Sequence, residues 1–188
     1  MDSGERAMFG RERRQERRAA RMGDPQVTRY QMRQRMLSIG DDFVIENDRG
    51  ERAFKLDGKA LRLRKTLLFE DMDGRELCKI QERMLRVKDS MEIEDPGGQR
   101  MALVQKAMIT PLRERWMVKV DGGPDLHVQG NIVDHEYMIE RDGQKVAEVS
   151  KRWFRVRDTY GVETAPGEND VLILATAAVI DTMAHPDR

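Results

Sequence analysis

The chain has 188 residues, 34 lysines and arginines balanced by 34 aspartates and glutamates, and one cysteine, Cys78. That length holds one domain with its own core and hardly two. The balanced charge argues against nucleic-acid binding by bulk positive charge, and a lone cysteine excludes an intramolecular disulfide and points to a reducing, intracellular home. In chain order, residues 1–24 come first, with seven arginines, five acids and almost no bulky apolar side chain. They contain no apolar stretch of the kind a secretory signal needs. They bury too little to fold, which predicts an arginine-rich arm, solvated or a frayed helix, ahead of a domain over 25–188.

From Tyr30 to about Thr164 the hydropathy alternates with period two. "ALRLRKTLLFED" sets Leu61, Leu63, Leu67 and Phe69 against Arg62, Arg64 and Thr66. "LRVKDSMEIED" sets Leu85, Val87, Met91 and Ile93 against Arg86, Lys88, Ser90, Glu92 and Glu94, and "WMVKVDG" sets Trp116, Val118 and Val120 against Met117 and Lys119. Such alternation with one wet face is the mark of antiparallel strands. Turn glycines punctuate them at Gly50, Gly74, Gly98, Gly122 and Gly143, spaced 24, 24, 24 and 21 residues apart. Twenty-four residues is about two strands and two turns, so the stretch reads as a meander of roughly twelve strands. A sheet that large must curl or close, and twelve tilted strands about 4.8 Å apart make a barrel roughly 24 Å across.

The last element is apolar all round. Val171 to Ile180 includes a single polar side chain, Thr176. A helix without a wet face is buried on every side, and the bore of a twelve-stranded barrel is about wide enough for a helix of 10–12 Å diameter. The helix is predicted over about 168–184, with Pro166 and Gly167 breaking the preceding strand, Glu168 and Asp170 at the positive end of its dipole, and Pro186 stopping it. It is too short to span a bilayer. Asp181, an acid near the negative end, is expected to meet an arginine at the barrel mouth. The fold class is therefore all-β with one buried helix: a twelve-stranded antiparallel barrel enclosing a hydrophobic C-terminal helix.

Three stretches, "RYQMRQRMLSIGDDFVIEND", "KRWFRVRDTYGVE" and "NDVLILATAAVIDTM", resemble the LURP-one-related family of the tubby C-terminal-like superfamily. The resemblance spans about residues 29–184. It implies the same architecture, a twelve-stranded tubby-like barrel around a C-terminal helix, and no established enzymatic activity. Superfamily relatives imply two further expectations, binding of phosphoinositide headgroups by exterior basic side chains and association with membranes. No tubby phosphoinositide motif can be matched residue by residue.

For chemistry the residues offer little. His127 and His135 read as lying in separate strands, and "HEYMI" has Ile139 where a zinc-protease helix would place its second histidine, so no metal site and no cofactor are expected. A nucleophile elbow, a Walker loop and a dinucleotide fingerprint are all missing. Cys78 shares its strand face with Ile80 and reads as packed, and the chain reads as a non-enzyme. The candidate ligand-binding residues are basic: Arg62 and Arg64, repeated 24 residues later as Arg86 and Lys88, and the run Lys151, Arg152, Arg155 and Arg157 around Trp153 and Phe154. Basic side chains interleaved with aromatics suit an anionic interface. The expected partners are an anionic lipid or phosphorylated headgroup or, alternatively, a protein held by a scaffold whose arginine-rich arm serves as adaptor. The expected location is cytoplasmic, peripheral at a membrane.

Overall fold

The computed structural model describes residues 27–35, 42–58, 66–82, 90–106, 114–153 and 159–185. Twelve strands follow in chain order: β1 Thr28–Arg35, β2 Asp42–Asn47, β3 Arg52–Gly58, β4 Thr66–Asp71, β5 Glu76–Glu82 and β6 Ser90–Glu94, then β7 Arg100–Lys106, β8 Glu114–Val120, β9 Leu126–Asn131, β10 Glu136–Arg141, β11 Gln144–Ser150 and β12 Thr159–Thr164. Each pairs antiparallel with its sequence neighbours, and β1 pairs with β12 from Thr28↔Thr164 to Arg33↔Thr159, which closes the barrel. The chain then turns inward as one helix, α1, Asp170–Ala184.

The 24-residue repeat has a local cause. Asn47 and Asp71 end β2 and β4, Asp95 follows β6, and the side-chain oxygen of each accepts the backbone N–H four residues on, at 3.0, 2.9 and 2.8 Å. One residue before each turn ends, Gly50, Gly74 and Gly98 hold φ of 76°, 83° and 81°, the left-handed conformation that glycine adopts without a steric penalty. The ladder slips by one residue at Ile45/Glu46, Phe69/Glu70 and Ile93/Glu94, the bulge that such a turn imposes on its hairpin. An Asx residue, a glycine three further on and a bulge thus recur after β2, β4 and β6.

Alternation fills the bore. Phe43, Ile45, Leu56, Phe69, Ile80 and Ile93 are all buried, as are Trp116 and Val118, while Lys119 stands exposed. Into that lining goes α1, whose residues from Leu172 to Thr182 are buried without a break. Each buried Leu or Ile contributes about 1.5–3 kcal/mol of apolar transfer, and Ala175, Ala177 and Ala178 keep the helix slim enough to be surrounded. Its N-terminus is tied to the wall. Asn169 caps it by accepting from Leu172 N at 3.1 Å, Asp170 accepts from Tyr30 Oη at 2.7 Å and Thr164 Oγ1 at 2.6 Å, and Glu168 takes a two-fold bond from Arg141 at 2.8 Å. Burial, and then the neighbouring Asp170 carboxylate, raise the Tyr30 phenol well above its ordinary value, so it stays a donor.

The structure departs from the period-two reading at two strand starts. Thr66 and Ser90, assigned to the wet face, are 2% and 4% exposed. Thr66 stands opposite Gln81, also buried, so at this end of the barrel the outer parity is covered as well as the inner one.

Candidate functional site at the C-terminal end of the helix

An up-and-down barrel sends successive connections to alternate ends. At one end lie the Asx–Gly turns and Ala165–Asn169, where α1 begins. At the other lie the last residues of β1, β3, β5, β7, β9 and β11 and the first residues of β2, β4, β6, β8, β10 and β12, together with the C-terminal end of α1. The buried polar groups gather at this second end.

Its centre is Asp181. The carboxylate is 4% exposed and meets two histidines: His135 Nε2 at 2.5 Å and His185 Nδ1 at 3.1 Å, both on Oδ1. The arginine expected for Asp181 is therefore replaced by an imidazole pair. Two structural facts explain this. Asp181 and His185 are four apart at the end of one helix and so lie on the same face, and His135 is in the turn between β9 and β10 and not in a strand, which corrects the strand placement. Its φ of 53° is left-handed, a conformation that histidine tolerates better than most residues at some cost. Gly130 makes the approach possible, since a Cβ there would lie 2.5 Å from Glu136 O and 2.6 Å from Tyr137 Cα.

Aromatic rings wall the cluster. His135 stacks on Tyr160 with centroids 4.4 Å apart and on His185 at 5.1 Å with the planes 6° apart. Burial by itself would raise the Asp181 carboxyl, but hydrogen bonds from both histidines, and their charge, outweigh it and hold the group at about 2. Tyr137 and Tyr160 are pushed the other way: burial first, then the Asp181 charge, raise both phenols well above their ordinary value. Neither phenol oxygen, nor His135 Nδ1, has a hydrogen-bond partner among the described residues. The ligand atoms of His135, Asp181 and His185 lie within 4.8 Å of one another. Part of this was visible in the sequence, as an acid near the end of an apolar helix with a histidine four residues later. The third member, 46 residues upstream of Asp181, carried no local signal.

Of the basic residues singled out from the sequence, Lys151 and Arg152 are described, whereas Arg62, Arg64, Arg86, Lys88, Arg155 and Arg157 lie outside the described residues. Lys151 and Arg152 follow β11 and adjoin the histidine turn: Lys151 N donates to His135 O at 3.1 Å and to Glu136 Oε1 at 3.1 Å, and Arg152 N donates to Glu136 Oε1 at 3.2 Å. The Arg152 side chain is 83% exposed, with Nε 3.5 Å from Glu136. Val133 and Trp153, 55% and 40% exposed, stand on the two adjoining connections. Gly58 and Thr66, which bracket Arg62 and Arg64 in sequence, lie at this same end, as do Glu82 and Ser90, which bracket Arg86 and Lys88. His127 is exposed on β9, and Cys78 is buried in the wall.

Among the described residues no helix is long and apolar enough to cross a membrane. No curated protein matches the chain in sequence. A protein of Arabidopsis thaliana solved by X-ray crystallography is similar in structure, with a TM-score of 0.64 at 15% identity over 84% of this chain and 91% of that one. The LURP-one-related family matches residues 28–181, from the first residue of β1 to the carboxylate at the centre of the cluster. With the closed barrel and its central helix, that match shows that the chain belongs to the LURP-one-related family.

Proposed function

We propose that the chain is a non-catalytic tubby-like binding domain that docks peripherally on anionic membrane through the barrel end where α1 terminates, engaging phosphorylated headgroups with basic side chains. The observation that supports this reading is topological. The described strand ends bracketing Arg62 and Arg64, Arg86 and Lys88, and Arg155 and Arg157 all belong to one end of the barrel, where Lys151, Arg152 and the exposed Val133 and Trp153 also stand. Exposed apolar groups beside basic ones suit an interface whose plane is partly apolar and whose charge is negative. At the opposite end Arg141 is engaged with Glu168 and Arg100 with Asp121 and Glu92, while Arg49, Arg52 and Arg75 are exposed there.

The test is co-sedimentation with phosphatidylcholine vesicles, with and without phosphatidylserine or a phosphoinositide, over a salt series. Each basic residue near an anionic surface is worth about 1 kcal/mol, so Arg64→Glu with Lys88→Glu should weaken binding well over tenfold, and more at low salt than at high. Trp153→Ala with Lys151→Glu and Arg152→Glu tests the apolar part of the contact. If the wild-type chain ignores anionic vesicles at low ionic strength, lipid docking is wrong and the same end becomes a surface for a protein partner.

A further inference from the structure

The cluster at the end of α1 turns two imidazole nitrogens toward one carboxylate oxygen. His185 Nε2 lies 3.2 Å from Val133 O, while His185 Nδ1 lies 3.2 Å from Asp181 O and 3.1 Å from Asp181 Oδ1. Carbonyl and carboxylate oxygens only accept, and a neutral imidazole has one N–H. If that N–H serves Val133, the Nδ1 lone pair points at two oxygens, and something positive belongs between them. His135 Nε2 presents a second nitrogen to the same carboxylate oxygen.

We propose that His135 Nε2, Asp181 Oδ1 and His185 Nδ1 form a binding site for one divalent transition-metal ion of the Zn2+ class. Two imidazoles and a carboxylate are a donor set that such ions favour and that Mg2+ and Ca2+ do not. Bonds of about 2.0–2.2 Å put tetrahedral ligand atoms roughly 3.3 Å apart. The separation between His185 Nδ1 and Asp181 Oδ1 already suits this at 3.1 Å, and the 2.5 Å between His135 Nε2 and the same oxygen needs to widen by less than 1 Å. The contact of His185 Nε2 with Val133 O is the outer hydrogen bond that fixes a ligating ring in the tautomer that leaves Nδ1 bare. The Tyr137 and Tyr160 hydroxyls, buried and without partners among the described residues, supply what a bound fourth ligand such as water would need. The left-handed His135 is the strained element that the ion's binding energy holds in place. The ion would staple the helix to the wall at the turn that also receives Lys151 N, and so stiffen the end of the barrel.

The full-length protein, freed of metal by chelator and dialysis, is titrated with Zn2+ by calorimetry and melted with and without it. One equivalent should bind with micromolar affinity or better, and a hundredfold excess over Kd should raise Tm by roughly 5 °C or more. His185→Gln, at the rim of the cluster, should weaken binding at least tenfold and remove the thermal shift. Co2+ added to the wild-type protein should give the intense visible bands of a tetrahedral site, a reading that does not depend on how any variant folds. Absence of those bands together with absence of a Zn2+ thermal shift would overturn the proposal and leave a protonated His185 as the cation between the oxygens. Binding undiminished in His185→Gln would also overturn it by placing the ion elsewhere.

Discussion

Cys78 shows how one side chain's surroundings set its chemistry. Its thiol sits in the barrel wall between strand neighbours, and burial first, then the charge of Glu76, push it up to about 12 from the usual 8.5–9. A group raised on folding contributes stability that is fully present below the unfolded pKa, and that contribution is lost as pH rises from about 9 toward 12. The thiolate is the reactive form, so at pH 7 an aromatic disulfide reagent should label the buried thiol of the native protein far more slowly than that of the denatured chain. Labelling as fast in the native protein as in denaturant would show the thiol exposed. Cys78 was legible because parity alone puts it beside Ile80. The histidine–aspartate cluster was not, because its members come from a turn and a helix end whose meeting depends on the register of the whole barrel, and a pattern that reports faces does not report register.

At the scale of the element, the helix was the most legible part. Its apolar perimeter demanded a surrounding wall, and the repeated Asx–Gly turns supplied enough strands to build one. What the pattern blurred were the strand starts, where Thr66 and Ser90 look wet and are covered, and the helix N-terminus, where a cap on Asn169 and a bond from Tyr30 to Asp170 do what the dipole alone was expected to do. Burial on every side makes the helix sensitive to size and to charge. Leu174→Ala should cost about 2–5 kcal/mol, and Ala177→Asp should cost more because the bore offers an unpaired carboxylate no partner. Lys119→Ala, on the exposed parity, should stay within about 0.5 kcal/mol. Denaturant midpoints decide it, and three variants of equal stability would mean that the helix does not carry the core.

For the whole molecule, closure joins the first strand to the last, and β1 starts at Thr28, where the family match also starts. Residues 1–24 lack the apolar side chains that offset the entropy of ordering. A chain starting at Pro25 should therefore melt within a degree or two of the full-length protein by scanning calorimetry. A drop of many degrees would place part of the stability in the arm. The architecture could be read from the sequence because each level agrees with the next, turn chemistry with strand length, strand number with bore width, and bore width with the slim helix. The role of the basic residues could not, since charge on a barrel exterior is compatible with solvation as well as with docking.

The pairing of Thr28 with Thr164 has a consequence for how the protein is made. The strand that closes the barrel and the helix that fills it are the last described elements in the chain, so during synthesis the first eleven strands would emerge with an open edge and an unfilled bore. Contacts this distant in sequence form slowly, and unpaired edges invite pairing with other chains. Until the helix has left the ribosome, the inward faces of the strands lack the element that fills the bore.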